Sequence, residues 1–405
     1  MVEVWFVEIA RGIGKMFLNP LFYWALLFAL LISLKRIKRE RENFGTKVFN
    51  ILTEMKRTWL VSLLGGMVIS LLAIGVGIVW TIPLIVLLAL VTLVLSLSFK
   101  CMWLSPAYTF GITFFLLLFL PKLIAGNVST FWIEGLESAN LSGFTLLLGM
   151  FILIESYLLL SFKRNETFPE LVKGNRGKWV GQHRLKKLAI IPFFVLIPGN
   201  AIESIIPWWP YFTIHEESYQ VMLIPMLTGF EFVVQGSKPI RAAKNIGRYV
   251  FLLGLITIVI ALSSVYVSIF SMVAVVVALL GREFIALKHR LEDQKHQPLF
   301  SPTLSGVTVL GIIPGTPAER LGLMIGEKVE KVNGKLVTNE KEFYEALQEN
   351  SAFCKLEIRD DMGELKFAQR AMYQGDHHEL GILFAKEQYK RKKKKSELEK
   401  EKQTP

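Results

Sequence analysis

The sequence predicts a polytopic α-helical membrane bundle followed by a smaller C-terminal α+β domain, and three observations carry that expectation. Of 405 residues, 52% are apolar and the mean hydropathy is +0.43, too hydrophobic for a soluble chain. Trp59 to Phe99 holds no charged residue over 41 positions and Val250 to Gly281 none over 32, where one bilayer crossing takes about 20. Gly306 to Ala385, by contrast, mixes short alternating strands with turn and capping residues, as soluble domains do. The expected divisions are an interfacial segment at 1–19, about seven to nine membrane helices at 20–290, a linker at 291–302, a folded domain at 303–387 and a basic tail at 388–405.

At the N-terminus, Trp5, Ile9, Ile13 and Met16 share one helical face and Glu8, Arg11 and Lys15 the other, which suits a helix lying in the interface. No cleavable signal is expected, because the strongest positive cluster follows the apolar run. Pro20 to Leu34 is the first span, closed by Lys35-Arg36-Ile37-Lys38-Arg39-Glu40-Arg41. The 41-residue run must be a hairpin turning at Trp80-Thr81-Ile82-Pro83, with Trp80 as an interfacial aromatic. Cys101 to Pro121 and Phe144 to Phe162 are further spans on either side of a loop that carries Glu134 and Glu137. Leu188 to Pro207 and Ser218 to Gln235 read as two weak, kinked spans, broken by Pro192, Pro198, Glu203, Pro225 and Glu231, with Trp208-Trp209-Pro210-Tyr211 at an outer interface. Val250 to Gly281 is a second hairpin, turning near Ser263-Ser264.

The net charge of +12 sits mainly in short loops at 35–57, 163–187 and 238–248 and after Gly281. That is the positive-inside signature, so these loops and the C-terminal domain are expected in the cytoplasm and the N-terminus outside. No nucleic acid is expected as a partner. Cys101 and Cys354 make neither a disulfide framework nor a metal site.

Catalytic patterns are missing. His215-Glu216-Glu217-Ser218-Tyr219 lacks the second His of a zinc-protease helix, and no glycine-flanked nucleophile turn occurs in a soluble domain. No cofactor, metal or catalytic residue is expected. Glu155 is the one intramembrane carboxylate that stands out, and a structural pairing is the expected role, ahead of transport.

The folded domain opens with an apolar strand, Gly306 to Ile313, and Pro314-Gly315-Thr316-Pro317-Ala318-Glu319 turns from it into a helix. Thr316 suits the N-cap, Pro317 the first helical position and Glu319 the reciprocal half of a capping box. Gly322 predicts a left-handed residue after about one turn. A strand at Gly326 to Val332 meets Asn333-Gly334, a hairpin signal, before Lys335-Leu336-Val337. Asn339 and Glu342 are a second capping pair, for a helix to Gln348 with Phe343, Ala346 and Leu347 on one face. Cys354, Leu356 and Ile358, then Leu365 and Phe367 beyond Asp361-Met362-Gly363, alternate as a second hairpin.

The run PGTPAERLGLMIGEKVEKVNGKLV resembles the core of bacterial PDZ domains, whose usual pattern is PGSPA, Gly-Leu, Gly-Asp and Val-Asn-Gly; Glu327 stands where the family commonly has Asp. The fold class becomes a polytopic α-helical membrane bundle followed by a C-terminal PDZ-like α+β domain. The resemblance implies binding of an extended peptide as an added strand. The family's carboxylate-receiving loop has a pattern like Gly-Leu-Gly-Phe, and the comparable stretch here is Glu379-Leu380-Gly381-Ile382. That implies a circularly permuted arrangement in which Gly381 to Ala385 faces the Asn339 to Gln348 helix, with Glu379, Leu380, Gly381, Ile382, Leu383, Phe343 and Leu347 as groove residues. Leu380 and Ile382 suit the core of a closing strand equally well.

After the domain, Lys390-Arg391-Lys392-Lys393-Lys394-Lys395 suits contact with anionic lipid at about 1 kcal/mol per basic residue, or a solvated tail. As a whole, the short aromatic first span after Asn19-Pro20-Leu21-Phe22-Tyr23-Trp24, the basic loop, the bundle and the single PDZ-like domain make the chain similar to the MinJ family of division-site topology proteins of Gram-positive rods. That resemblance implies a non-enzymatic adaptor at septum and poles. Its implied partners are the coiled-coil protein DivIVA, the ATPase MinD and other membrane proteins of the division machinery. A non-catalytic regulator of a membrane protease and a transporter with a regulatory PDZ domain are the rival readings.

Overall fold

The computed structural model describes residues 2–126, 128–174, 177–203, 209–211, 218–301, 306–350, 353–360, 363–371, 380–386 and 389. Its first part runs α1 (Val2–Leu18), α2 (Pro20–Phe44), α3 (Thr58–Val76), α4 (Ile82–Ser96), α5 (Pro106–Ile124), α6 (Thr130–Glu137) and α7 (Leu141–Leu160). Three strands follow, β1 (Phe168–Lys173), β2 (Trp179–Glu203) and β3 (Ser218–Val234), and then α8 (Pro239–Ser263) and α9 (Ile269–Lys295). Among the described residues six helices, α2, α3, α5, α7, α8 and α9, are long and apolar enough to cross a bilayer, and α4 is a shorter apolar one.

Local chemistry sets the helix ends. Asn19 caps α2 by accepting the N–H of Leu21, Pro20 takes the first helical position, and Gly45 ends the helix at φ +82°. α2 therefore carries straight through the basic cluster after Leu34, and Arg36 and Glu40 are buried rather than spread on the surface. The Arg36 guanidinium bonds Glu54 (2.8 Å), Glu40 (2.5 Å) and the carbonyl of Asn50 (2.7 Å), which pins the loop before α3. The first uncharged run is the expected hairpin, with Gly77 at φ +77° ending α3 and Thr81 capping α4. Trp80 is not interfacial, however. It is fully buried, with the rings of Phe110, Phe144 and Phe193 around it, because the turn folds inward onto the core. The second run is also the expected hairpin, breaking between Ser263 and Ile269.

The two weak spans are not helices. They are β2 and β3, paired antiparallel from His183 opposite Val234 to Glu203 opposite Ser218, with a register shift between Pro198 and Ile202. Side chains on both faces of this ribbon are buried, so no period-2 alternation of polarity shows in the sequence. The prolines read as helix kinks fit strands instead. Pro192 stands opposite Pro225, in a pair whose N positions face away from the partner strand, so neither proline removes a ladder bond.

A ribbon inside a bundle leaves edge groups that lipid cannot satisfy, and the helices supply partners. α3 lays a stripe of small and hydroxyl residues, Thr58, Ser62, Gly66, Ser70 and Ala73, along the outer edge of β2. The Thr58 hydroxyl donates to the Leu188 carbonyl (3.1 Å), and the Phe194 N–H donates to Ser70 Oγ (2.8 Å). Further along, Trp80 N–H reaches Leu196 O (2.8 Å) and Leu196 N–H reaches Ile78 O (3.3 Å). Gly66 is required here, since a Cβ would collide with the Pro192 carbonyl.

On the β3 side, α1 packs through Gly12 against Val221, and Lys15 donates to Gln220 (2.8 Å). The helix therefore turns Glu8 and Gly12 inward and leaves Phe6, Val7, Ile13 and Phe17 exposed, which corrects the expected facing of Ile13 and Glu8. The ribbon runs along the bundle and returns, in the place where two helical spans were expected.

Beyond α9 lie β4 (Val307–Ile312), α10 (Pro317–Arg320), β5 (Lys328–Val332), β6 (Lys335–Leu336), α11 (Glu340–Gln348), β7 (Phe353–Arg359), β8 (Leu365–Ala371) and β9 (Ile382–Phe384). The strand order is β8-β7-β5-β4-β9, with β6 beside β5. Asn333 and Gly334 both have positive φ, as the hairpin signal requires. Asn339 accepts the Glu342 N–H (3.0 Å) and Glu342 reaches back to Thr338, so the second capping pair forms. The first forms only in part: Glu319 accepts from the N–H of Gly315 (2.7 Å), and the Thr316 hydroxyl donates to Ile313 O (2.6 Å) instead of capping the one-turn helix.

Candidate functional site

Among the described residues the C-terminal sheet ends on β9, which pairs there with β4 alone. Ile312 stands opposite Ile382, and the Ile313 N–H donates to Gly381 O (2.9 Å). In an antiparallel ladder that pattern turns the N–H and C=O of Ile382 away from β4, toward an open edge. α11 lies beside this edge. Its Phe343 ring packs on Phe384 at 5.1 Å, Tyr344 stands at 6.4 Å, and Lys386 is ion-paired to Glu340 (2.5 Å) at the mouth.

The structure gives the sequence-derived groove residues different places. Ile382, Phe343 and Leu347 share one apolar floor between β9 and α11, and all three are buried. Leu380 is a fully buried core residue at φ +49°, and its carbonyl accepts the N–H of Ala318 (2.9 Å). Gly381, at φ +80°, is needed for the backbone itself, because a Cβ there would collide with the Thr316 hydroxyl. Leu383 points to the opposite face of the sheet, and Glu379 lies outside the described residues. Phe384, Tyr344, Glu340 and Lys386 belong to the edge and were not singled out by sequence. Strand alternation offered one signal, since a residue two beyond Ile382 shares its face.

The family-position change at Glu327 is accommodated locally. Its buried carboxylate accepts from the Met324 N–H (2.9 Å) and pairs with Lys366 (3.2 Å). The Cys354 thiol is pushed up to about 12 by burial, which leaves it unreactive. Among the described residues no group of three His, Cys, Asp or Glu side chains could hold a metal ion.

The back of the same sheet is docked on the bundle. Leu310 and Leu383 pack with Phe44, Phe49, Phe168 and Phe300. His183 of β2 is fully buried between them: Thr167 contacts Nδ1 (2.9 Å), Nε2 contacts Leu310 O (2.8 Å), and Phe300 lies at 4.8 Å. Burial pushes His183 down to about 3, so the imidazole is neutral; the geometry is that of Nε2–H donating to Leu310 and the Thr167 hydroxyl donating to Nδ1. Asn165 adds two bonds to the domain, donating to Leu323 O (3.2 Å) and accepting from Ile325 N–H (3.2 Å).

Inside the bundle, Glu155 pairs with Arg282 (3.0 Å) and accepts from the Ser105 hydroxyl (2.5 Å). The guanidinium also lies over the Phe232 ring at 4.5 Å.

A family model described as a PDZ domain matches residues 308–359, a stretch that stops before β8 and β9. Over nearly the whole length, the chain is 37% identical across 390 residues to the cell division topological determinant MinJ of Bacillus subtilis (strain 168), covering 95% of this chain and 96% of that one. It is 26% identical to the probable cell division topological determinant MinJ of Lacticaseibacillus paracasei, over 91% of this chain and 97% of that one. No solved structure matches the chain.

Proposed function

This chain belongs to the MinJ family of cell division topological determinants, and from that premise we propose that it is a non-enzymatic membrane adaptor that positions the division-inhibitor system. In this reading the PDZ-like domain faces the cytoplasm, and the protein bridges a DivIVA-like coiled-coil protein and a MinD-like ATPase at septum and poles. The observation that carries the adaptor role is the open edge of β9 beside α11 on a domain rigidly seated on a membrane body. An extended partner segment adds there as a strand, its backbone bonding to Ile382 and its side chains parting the Phe343–Phe384 contact. Holding the binding edge on a fixed body raises the effective concentration of a weak partner at the membrane. The clustering of basic residues at the domain's end of the bundle supports the cytoplasmic orientation.

The test is the position of a fluorescent fusion in dividing cells. Septal enrichment that disappears without the DivIVA-like protein, and a MinD-like protein that loses its own placement when 306–386 is deleted, are the expected results. Unchanged septum placement after loss of the gene, or cleavage of a substrate by the purified protein, would sink the proposal.

A further inference from the structure

A cavity of about 490 Å³ opens where the start of α8 meets the segment after α7 and the turn at Met324 and Ile325 of the C-terminal domain. Arg164, Lys238, Arg241, Lys244 and Arg248 line it, together with Asn165, and no acidic residue stands among the described lining residues. Other arginines of the chain, among them Arg36, Arg184, Arg282 and Arg359, each hold a carboxylate. Among the described residues Arg164, Arg241, Lys244 and Arg248 have no ion-pair partner; Lys238 is not counted with them. The nearby carboxylates already have partners: Asp293 accepts from the N–H groups of Gln235 and Gly236, Glu292 pairs with Lys288, Glu166 pairs with Arg57, and Glu319 accepts from the Gly315 N–H. These four cations converge on one concavity and repel one another, and an anion seated among them relieves that repulsion.

The surroundings of the cavity point to the kind of anion. Arg241, Lys244 and Arg248 follow one side of α8, and the next residues are the exposed Tyr249, Phe251 and Leu252, an aromatic and apolar surface suited to the edge of a bilayer. We propose that this cavity binds the phosphate of an anionic membrane lipid, whose acyl chains run down the exposed face of α8. The arrangement comes from three separate parts of the chain, so it exceeds the scattered basic loops that orientation alone demands. Because Met324 and Ile325 form its far wall, an occupied cavity also braces the domain against the bundle.

The full-length protein is reconstituted in nanodiscs of phosphatidylcholine with or without phosphatidylglycerol, and lipids retained after transfer to detergent are counted by native mass spectrometry. Hydrogen exchange of the turn at 323–326 is followed in parallel, with inorganic phosphate added to the phosphatidylcholine discs as a separate arm. The expected result is retained phosphatidylglycerol and slowed exchange with that lipid but not with phosphate. The variant R241Q/K244Q/R248Q should lose about 100-fold in lipid affinity, at the usual contribution of each basic residue near a membrane surface. All three side chains are exposed, so the fold survives their exchange, and unchanged thermal unfolding of the variant verifies this. Equal protection by inorganic phosphate would assign the cavity to a free anion, and undiminished lipid retention by the variant would remove the site altogether.

Discussion

Nε2 of His183, at the end of β2 that leaves the bundle and meets the C-terminal domain, lies 2.8 Å from the carbonyl oxygen of Leu310, on the first strand of the PDZ-like sheet. One neutral imidazole therefore joins two parts of the chain that the sequence separates by helices of 25 and 27 residues and a connecting segment. The folded pKa lies below the ordinary histidine value, so this contact contributes fully above about pH 6.5 and is lost as pH falls toward 3. Hydrogen exchange of β4 should accelerate over that window. His183→Leu should remove the dependence and cost about 1–3 kcal/mol of docking, because Thr167 and Leu310 are left unsatisfied. An unaltered pH profile in that variant would assign the effect to another group.

Glu155 and Arg282 should behave as a unit. Arg282→Met alone leaves a buried carboxylate and is expected to cost about 3–5 kcal/mol, whereas Glu155→Met with Arg282→Met restores most of it. Thermal unfolding in detergent separates the cases. A double variant as unstable as the single one would mean that packing, not charge, dominates at this site.

Gly66→Val should prevent assembly of the bundle, since α3 cannot approach Pro192 with a side chain in between. Ser70→Ala is the milder probe. It strips the acceptor from the Phe194 N–H and should cost about 1–3 kcal/mol. Yield of monodisperse protein reports the first and melting temperature the second; wild-type behaviour of both would show that the edge of β2 finds other partners.

At the groove, the informative comparison is Ile382→Pro with Ile382→Ala. Both truncate a buried side chain, but only proline deletes the N–H that faces the open edge, and the ladder to β4 does not use that N–H. Partner-peptide binding, measured by fluorescence anisotropy on the full-length protein, should be lost in the first and largely kept in the second. Equal losses would point to packing rather than strand addition. Gly381 is a poor probe, because any side chain there strains the backbone.

The C-terminal domain was legible because its signals are local. Asn333-Gly334 demands a left-handed pair, Asn339 and Glu342 bond within one turn, and Phe343, Ala346 and Leu347 fall on one face. The helical hairpins were legible because charge-free length is itself a constraint. The ribbon was not. Its strands are apolar on both faces, so periodicity carries no information, and Pro192 and Pro225 break a helix as readily as they suit a strand edge. Arg282 as the partner of Glu155 was equally hidden, because the two are brought together only by the packing of α7 and α9.

A helix completes its own backbone bonding and can enter a bilayer alone; a strand cannot. The ribbon therefore imposes an order of events on biogenesis. The part of the ribbon within the bundle has no stable place in hydrocarbon until α3, with its hydroxyl stripe, and α1 stand ready to receive its edges. Both helices are made before the ribbon emerges, so the order of the chain matches the order in which its parts are needed. A circular permutant that moves α3 behind β3 would keep every contact available and still be expected to stall during insertion.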